Sequence, residues 1–286
     1  MKILITGASG FLGKKLVADL SSDFDSEITC ISRTSKNTSG QSKNVSWIKG
    51  NLSDEEFQLF LSQKKFQKVF HLAWEGLPDR SPELNLLNLK ISRNFLSRLS
   101  ANGVSELNLI GSCLEYGGID RMVADSEQPK GIDSFANTKI KLNDFVRELG
   151  IPYRWFRPFF IFGDGQSENS LIPSLIANLK RDLSPEIRAM NNSHDFIAVD
   201  DVSQAIFLAS NNESLYGEIN IGTGILTPVG EIVKAFHSKF GVEFNQSFKA
   251  KPGLSSNSLK LKSFTNWRPE FTGLEGIMKY YKEQIS

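Results

Sequence analysis

Through the first 160 residues, short apolar runs alternate with longer stretches whose apolar residues recur at helical spacing. The runs at 3–5, 28–31, 45–48, 69–72, 107–110 and 153–156 are short and unbroken, the pattern of strands buried on both faces of a sheet. The stretches at about 11–22, 54–63, 82–102 and 134–149 place apolar residues three and four apart, as amphipathic helices do. Strand and helix in turn predict βαβ units, hence an α/β fold with a doubly wound parallel sheet. After Arg157-Pro158 the alternation stops. A loop of Gly, Asp and Ser over 163–170 leads to a helix at about 171–181, and short elements follow. This texture predicts a first domain over 1–165 and a smaller C-terminal lobe over 166–286. A stretch at about 196–222, with a helix at 200–210, is expected to return to the first domain.

The first apolar run feeds directly into Thr6-Gly7-Ala8-Ser9-Gly10-Phe11-Leu12-Gly13, and an amphipathic helix follows. Glycine suits such a strand–turn–helix for separate reasons. The chain must turn sharply, the backbone must approach phosphate oxygens, and helix must pack closely on strand. The free N–H groups and positive dipole end of the helix then face one point, which suits a pyrophosphate. Gly7, Ser9, Gly10, Phe11, Leu12 and Gly13 are therefore candidate residues for holding a dinucleotide, and the sheet is of the Rossmann type.

Composition narrows the classes. A length of 286 residues, 40% of them hydrophobic and 23% charged, describes a soluble globular chain. A net charge of +1 gives no electrostatic case for nucleic acid or an acidic membrane surface as partner. No apolar run approaches the roughly 20 residues that span a bilayer. Met1 leads straight into the first strand, so a cytoplasmic location is expected. Cys30 and Cys113 make no disulfide framework, and His71, His194 and His237 lack the spacing of metal ligands.

Several ordered segments together resemble the extended short-chain dehydrogenase/reductases, the nucleotide-sugar epimerase/dehydratase family. Besides the glycine turn these are Gly50-Asn51-Leu52-Ser53-Asp54, Phe70-His71-Leu72-Ala73, Gly111-Ser112-Cys113-Leu114-Glu115-Tyr116-Gly117 and Phe135-Ala136-Asn137-Thr138-Lys139. Arg157-Pro158-Phe159-Phe160-Ile161-Phe162-Gly163, the segment 194–202, Asn220-Ile221-Gly222-Thr223-Gly224 and Asn266-Trp267-Arg268-Pro269 continue the series. The resemblance implies that Asn51 and Leu52 lie near the adenine, that Leu72 and Ala73 lie along the cofactor, and that Pro158, Phe159 and Ile161 border the nicotinamide. It implies catalytic roles for Ser112, which binds the reacting sugar oxygen, and for Lys139, which also holds the cofactor ribose. A Tyr is expected four residues before that Lys, to exchange a proton with the oxygen. Phe135 stands there instead. Three readings stay open: an engineered Tyr-to-Phe change that traps a complex, a different acid such as water, Ser112 or Tyr116, or binding retained without catalysis.

The run at 28–31 ends in Ser32-Arg33-Thr34-Ser35-Lys36, where an acid would select NAD. Ser32 and the planar Arg33 fork, with Lys36 nearby, suit a ribose 2′-phosphate, so NADP is the expected cofactor. Within the resemblance, the loop after Ser112 narrows the reaction. Dehydratases carry an Asp-Glu pair where this chain has Cys113-Leu114, and 3,5-epimerising GDP-fucose synthases carry a Cys two residues before the loop aromatic, not three. Chemistry at one carbinol remains. The expected activity is NADP-dependent reduction of a nucleotide-diphosphate-4-keto-6-deoxysugar, a 4-ketoreductase serving surface polysaccharide. A nucleotide-sugar 4-epimerase and a non-catalytic NADP-binding member are the alternatives. Candidate substrate contacts are Trp74, Ser112, Cys113, Asn169, Arg188 and Lys251, the two cations for the diphosphate. His194 stands where the family often has Arg, and a homodimer through the helices at 82–102 and 134–149 is a family expectation.

Overall fold

The computed structural model describes residues 1–34, 42–77 and 81–285. Contacts divide the chain into two compact units: Met1–Gly117 with Gln128–Arg157 and Ile206–Ile219, and Gly118–Glu127 with Pro158–Ala205 and Asn220–Ser286. Relative to the boundaries expected from sequence, 118–127 and 158–165 group with the second unit. The reason for the former is a strand pairing: Met122–Val123 (β6) runs parallel to Ser255–Ser256 (β12).

The first unit is built on a seven-stranded sheet. Its strands in chain order are β1 (Lys2–Thr6), β2 (Glu27–Ser32), β3 (Val45–Lys49), β4 (Lys68–His71), β5 (Glu106–Ile110), β7 (Tyr153–Pro158) and β10 (Gly217–Ile221). The spatial order is β10-β7-β5-β4-β1-β2-β3, and every pairing from β3 through β7 is parallel. The order reverses between β1 and β4, which is where ligands of such sheets bind. The chain thus has the expected α/β, Rossmann-type fold. The helices are α1 (Phe11–Leu20), α2 (Glu55–Ser62), α3 (Pro82–Ala101) and α4 (Ser134–Glu148). Local chemistry fixes their starts. The Asp54 carboxylate accepts from the Glu56 and Phe57 N–H groups, Ser81 caps α3 ahead of Pro82, and Asp133 accepts from Ala136 N–H. Leu4, Val69, Leu107 and Trp155 of the sheet pack with Phe95, Leu96 and Leu99 of α3 and Leu142 and Val146 of α4.

The second unit has its own core. A three-stranded sheet, β11 (Leu226–Pro228), β9 (Ser193–Ala198) and β8 (Phe160–Phe162), carries α5 (Leu171–Leu179) and α7 (Val229–Phe240). Phe162, Leu175, Ile176, Phe196, Ile232, Val233 and Phe236 fill that core. The helix expected at 200–210 is α6 (Val199–Ser210). Its residues up to Ala205 group with the second unit and those from Ile206 with the first.

Candidate active site

The cleft of the first unit forms at the end of β1. Gly7 has φ of +69°, and a Cβ there would lie 2.8 Å from the backbone N of Ala73 and the backbone C of Leu72. A Cβ on Gly13 would lie 2.1 Å from the Gly7 carbonyl oxygen. The turn is closed by Gly10 N–H donating to Gly7 C=O at 2.9 Å. The cap residue of α1 is Gly10, which makes no side-chain cap bond. The first N–H groups of a helix have no partner within the helix, so an oxyanion beside this turn would supply one. This cradle fits the pyrophosphate of a dinucleotide.

Gly7, Ser9, Gly10, Ser32, Arg33, Asn51, Leu52, Leu72, Ala73 and Trp74 all line one cleft. Phe11, Leu12 and Gly13 follow on α1, with Leu12 buried. Ser32 is buried, whereas Arg33 is exposed and pairs with Glu75, Nη1 to Oε1 at 2.9 Å. Lys36 lies outside the described residues. Asn51 is exposed and its Oδ1 accepts from Ser53 N–H, a turn contact. His71 also lines the cleft, held between Thr6 Oγ1 at 2.8 Å and Ser92 Oγ at 2.9 Å. Burial, with the Lys139 charge nearby, pushes its pKa down to about 3, so it is neutral.

Trp74 connects this cleft to the expected catalytic residues. Its ring covers the Lys139 ammonium, Nζ 3.8 Å from the centroid, and meets the Phe135 ring edge-on at 6.0 Å. Its indole N–H donates to Asn85 Oδ1 at 3.3 Å. Lys139 Nζ donates to the Ile110 carbonyl at 2.8 Å. Desolvation lowers the Lys139 pKa to about 7, with the Glu115 charge opposing the shift. Phe135 occupies the first turn of α4, one turn before Lys139, and is buried. The two side chains therefore share a helix face, and the apolar ring carries no proton.

The loop after β5 is held from inside. Ser112 Oγ accepts from Leu114 N–H at 3.2 Å while Glu115 Oε1 accepts from Ser112 N–H at 2.8 Å, a reciprocal capping box. Ser112 is thus a capping residue whose own O–H proton is free of that bond. Glu115 is fully buried and also accepts from Trp155 Nε1 and from Arg157 Nε, the latter at 2.7 Å. Burial pushes its pKa up, against the pull of Arg157. Tyr116, considered as an alternative acid, is fully buried with its hydroxyl accepting from Arg157 Nη1 at 3.2 Å. Cys113, the expected substrate contact, is 3% exposed and opens the short helix Cys113–Tyr116.

The candidate residues of the second unit are more scattered. Pro158 and Phe159 are buried and Ile161 half-buried. Asn169 is exposed and precedes the Ser170 cap of α5, so it is not a helical residue. Arg188 and Lys251 are both exposed. The Lys251 N–H donates to the Asn191 carbonyl, which puts the two cations on adjoining segments. His194 stacks on Phe160 with centroids 3.8 Å apart, and burial lowers its pKa. The neighbouring Asp195 is fully buried and accepts from Thr223 N–H and Oγ1, Gly224 N–H and Ser256 N–H, so it anchors the 220–224 loop. Among the described residues, no group of three or more His, Cys, Asp or Glu could hold a metal ion, and no helix is long and apolar enough to cross a membrane.

A model of the NAD dependent epimerase/dehydratase family matches residues 3–222. A GDP-6-deoxy-D-talose 4-dehydrogenase of Aggregatibacter actinomycetemcomitans is 28% identical over 79% of this chain and 75% of its own length. Among solved structures, the UDP-glucuronic acid 4-epimerase of Bacillus cereus in complex with NAD has a TM-score of 0.85 at 19% identity and covers 100% of both chains. The UDP-glucose 4-epimerase of Thermotoga maritima with UDP-glucose has a TM-score of 0.80 at 22% identity, again over 100% of both chains. At these identities the structural likeness establishes the fold.

Proposed function

The chain belongs to the NAD dependent epimerase/dehydratase family, and from that premise we propose that it is a 4-ketoreductase, an NADP-dependent oxidoreductase acting at C4 of a nucleotide-linked 4-keto-6-deoxysugar. The carrying observation is the state of the loop after β5. Eliminating water requires an acid and a base, but Cys113 is buried, Leu114 is apolar, and both oxygens of Glu115 are committed to N–H donors. Oxidation or reduction at one carbinol asks only for hydride and a single proton. The sequence relative from Aggregatibacter, a 4-dehydrogenase of a 6-deoxysugar nucleotide, supports the same carbon.

In this reading Gly7, Ser9, Gly10 and the N-terminus of α1 hold the pyrophosphate, and Arg33 receives a 2′-phosphate. The bound dinucleotide supplies the hydride. Ser112 donates its free O–H to the sugar oxygen, Lys139 orients the cofactor ribose, and Trp74 excludes water. Arg188 and Lys251 are assigned to the diphosphate and Asn169 to a sugar or phosphate oxygen. A homodimer through α3 and α4 belongs to the same reading. The structural relatives include 4-epimerases, one of them in complex with NAD, which favours a nucleotide-sugar 4-epimerase using NAD as the second reading.

The test is NADPH oxidation followed optically with a panel of 4-keto-6-deoxysugar nucleotides. Restoring the phenol by Phe135→Tyr is expected to raise turnover by about 10²–10⁴-fold, the usual worth of a positioned general acid. Turnover absent in both forms, with the dinucleotide still bound, would mean a binding member of the family. Interconversion of 4-epimers without net NADPH loss would select the epimerase.

A further inference from the structure

Arg33 follows β2 and Glu75 follows β4, and these strands flank β1 on either side. Their ion pair therefore joins the two walls of the cleft across the end of β1, where the glycine turn begins. The acid is not on a loose loop. The Glu75 N–H donates to Asn88 Oδ1 at 3.0 Å, and Asn88 Nδ2 donates back to the Glu75 carbonyl at 2.9 Å. Asn88 is itself buried on α3. Both backbone polar groups of residue 75 are thus fixed to a helix, and the carboxylate is presented to Arg33 from a rigid support.

We propose that Glu75 sets the choice between the two nicotinamide dinucleotides, by competing with a ribose 2′-phosphate for Arg33. The proposal rests on the reading of this cleft as a dinucleotide site. A ribose that carries only hydroxyls asks nothing of Arg33, and the Arg33–Glu75 pair stays closed. A 2′-phosphate is the stronger partner for a guanidinium, because it brings more charge and a third acceptor oxygen. To reach it Arg33 must give up its contact with Glu75. The pair is also exchangeable. Its side chains are 67% and 42% exposed, and surface pairs of this kind hold weakly. Glu75 therefore offsets the NADP preference that Arg33 confers and leaves NAD a competent alternative.

The experiment is direct titration of NADPH and NADH binding to the full chain by fluorescence, without sugar substrate. Glu75→Gln keeps the shape and both backbone bonds to Asn88 and removes only the charge. It is expected to lower the ratio of the NADPH to the NADH dissociation constant about three- to fivefold, as release of a surface ion pair does. In an Arg33→Ala background the same change is expected to leave that ratio within twofold, because the competition needs the guanidinium. Circular dichroism and melting temperature check that each variant is folded. If Glu75→Gln binds both dinucleotides with a ratio within twofold of the unmodified chain, the proposal is overturned and the dinucleotide reading stands. If the unmodified chain binds neither at millimolar concentration, the dinucleotide reading falls and the proposal with it.

Discussion

Lys139 shows how one apolar neighbour changes the state of a residue. Among the described residues its ammonium meets the Ile110 carbonyl and an indole face, in a setting where Phe135 supplies no oxygen. Desolvation brings its pKa down from 10.5 to about 7. The unfolded chain consequently binds more protons than the folded one between about pH 7 and 10.5. Stability from this group must rise with pH through that window. Lys139→Met is expected to flatten the rise and to stabilise the fold at pH 7 by about 1–4 kcal/mol, as apolar replacements of buried charge do. Urea unfolding at pH 7 and 9.5 measures both effects, and an unchanged pH slope in the variant would contradict the assignment. His71 acts at the other end of the scale. Its pKa falls from 6.5 to about 3, so stability from its neutral form is present above pH 6.5 and is lost as the pH falls toward 3. Glu115 and Arg157 form the opposite kind of buried charge, a matched pair. Glu115→Gln leaves the guanidinium without its counter-charge in the loop after β5. It is expected to cost about 3–5 kcal/mol in urea unfolding.

The glycine turn ties two elements together, and its tolerance can be stated per position. At Gly13 an added methyl meets backbone atoms, the Gly7 carbonyl oxygen at 2.1 Å and the Ala8 Cα at 2.9 Å. Backbone cannot step aside, so Gly13→Ala must displace α1 from β1. The expected result is a loss of about 1–3 kcal/mol of stability. A fall in dinucleotide affinity of at least tenfold should accompany it. Normal affinity in a folded Gly13→Ala chain would show that α1 does not position the phosphate. This element was legible in the sequence because it is local: an apolar run, glycines at fixed offsets, then helical spacing. The same locality made the six expected strands of the parallel sheet readable. The strands β6, β8, β9, β10, β11 and β12 were not, because each is defined by a partner in another part of the chain. Glu75, Asn88 and Ser92 escaped for a related reason. Nothing about Glu75 in the sequence tells that Arg33 faces it. One signal was present, however. Asn85, Asn88 and Ser92 fall three and seven residues apart on the buried face of α3, where an ordinary amphipathic helix would carry apolar side chains. Polar groups at buried helical positions need partners, and here the partners are Trp74, Glu75 and His71.

At the scale of the whole chain, a dinucleotide is expected to act on the two units unequally. Every residue lining the glycine-turn cleft belongs to the first unit, and each unit has a separate apolar core. A ligand that binds only the folded form stabilises what it binds by an amount set by its concentration over Kd, about 2.7 kcal/mol at one hundred times Kd. Calorimetry can therefore read the coupling between the units as well as the binding. If the chain unfolds in one transition, saturating dinucleotide should move that whole transition upward, by roughly 2–4 °C for each kcal/mol in a chain near this size. If it unfolds in two, the transition of the first unit should move and that of the second should stay. Hydrogen exchange assigns the transitions: slower exchange on binding is expected at residues 7–13, 32–33 and 71–75. A dinucleotide that shifts only the second unit, or protects none of these segments, would remove the cleft at the end of β1 as its site.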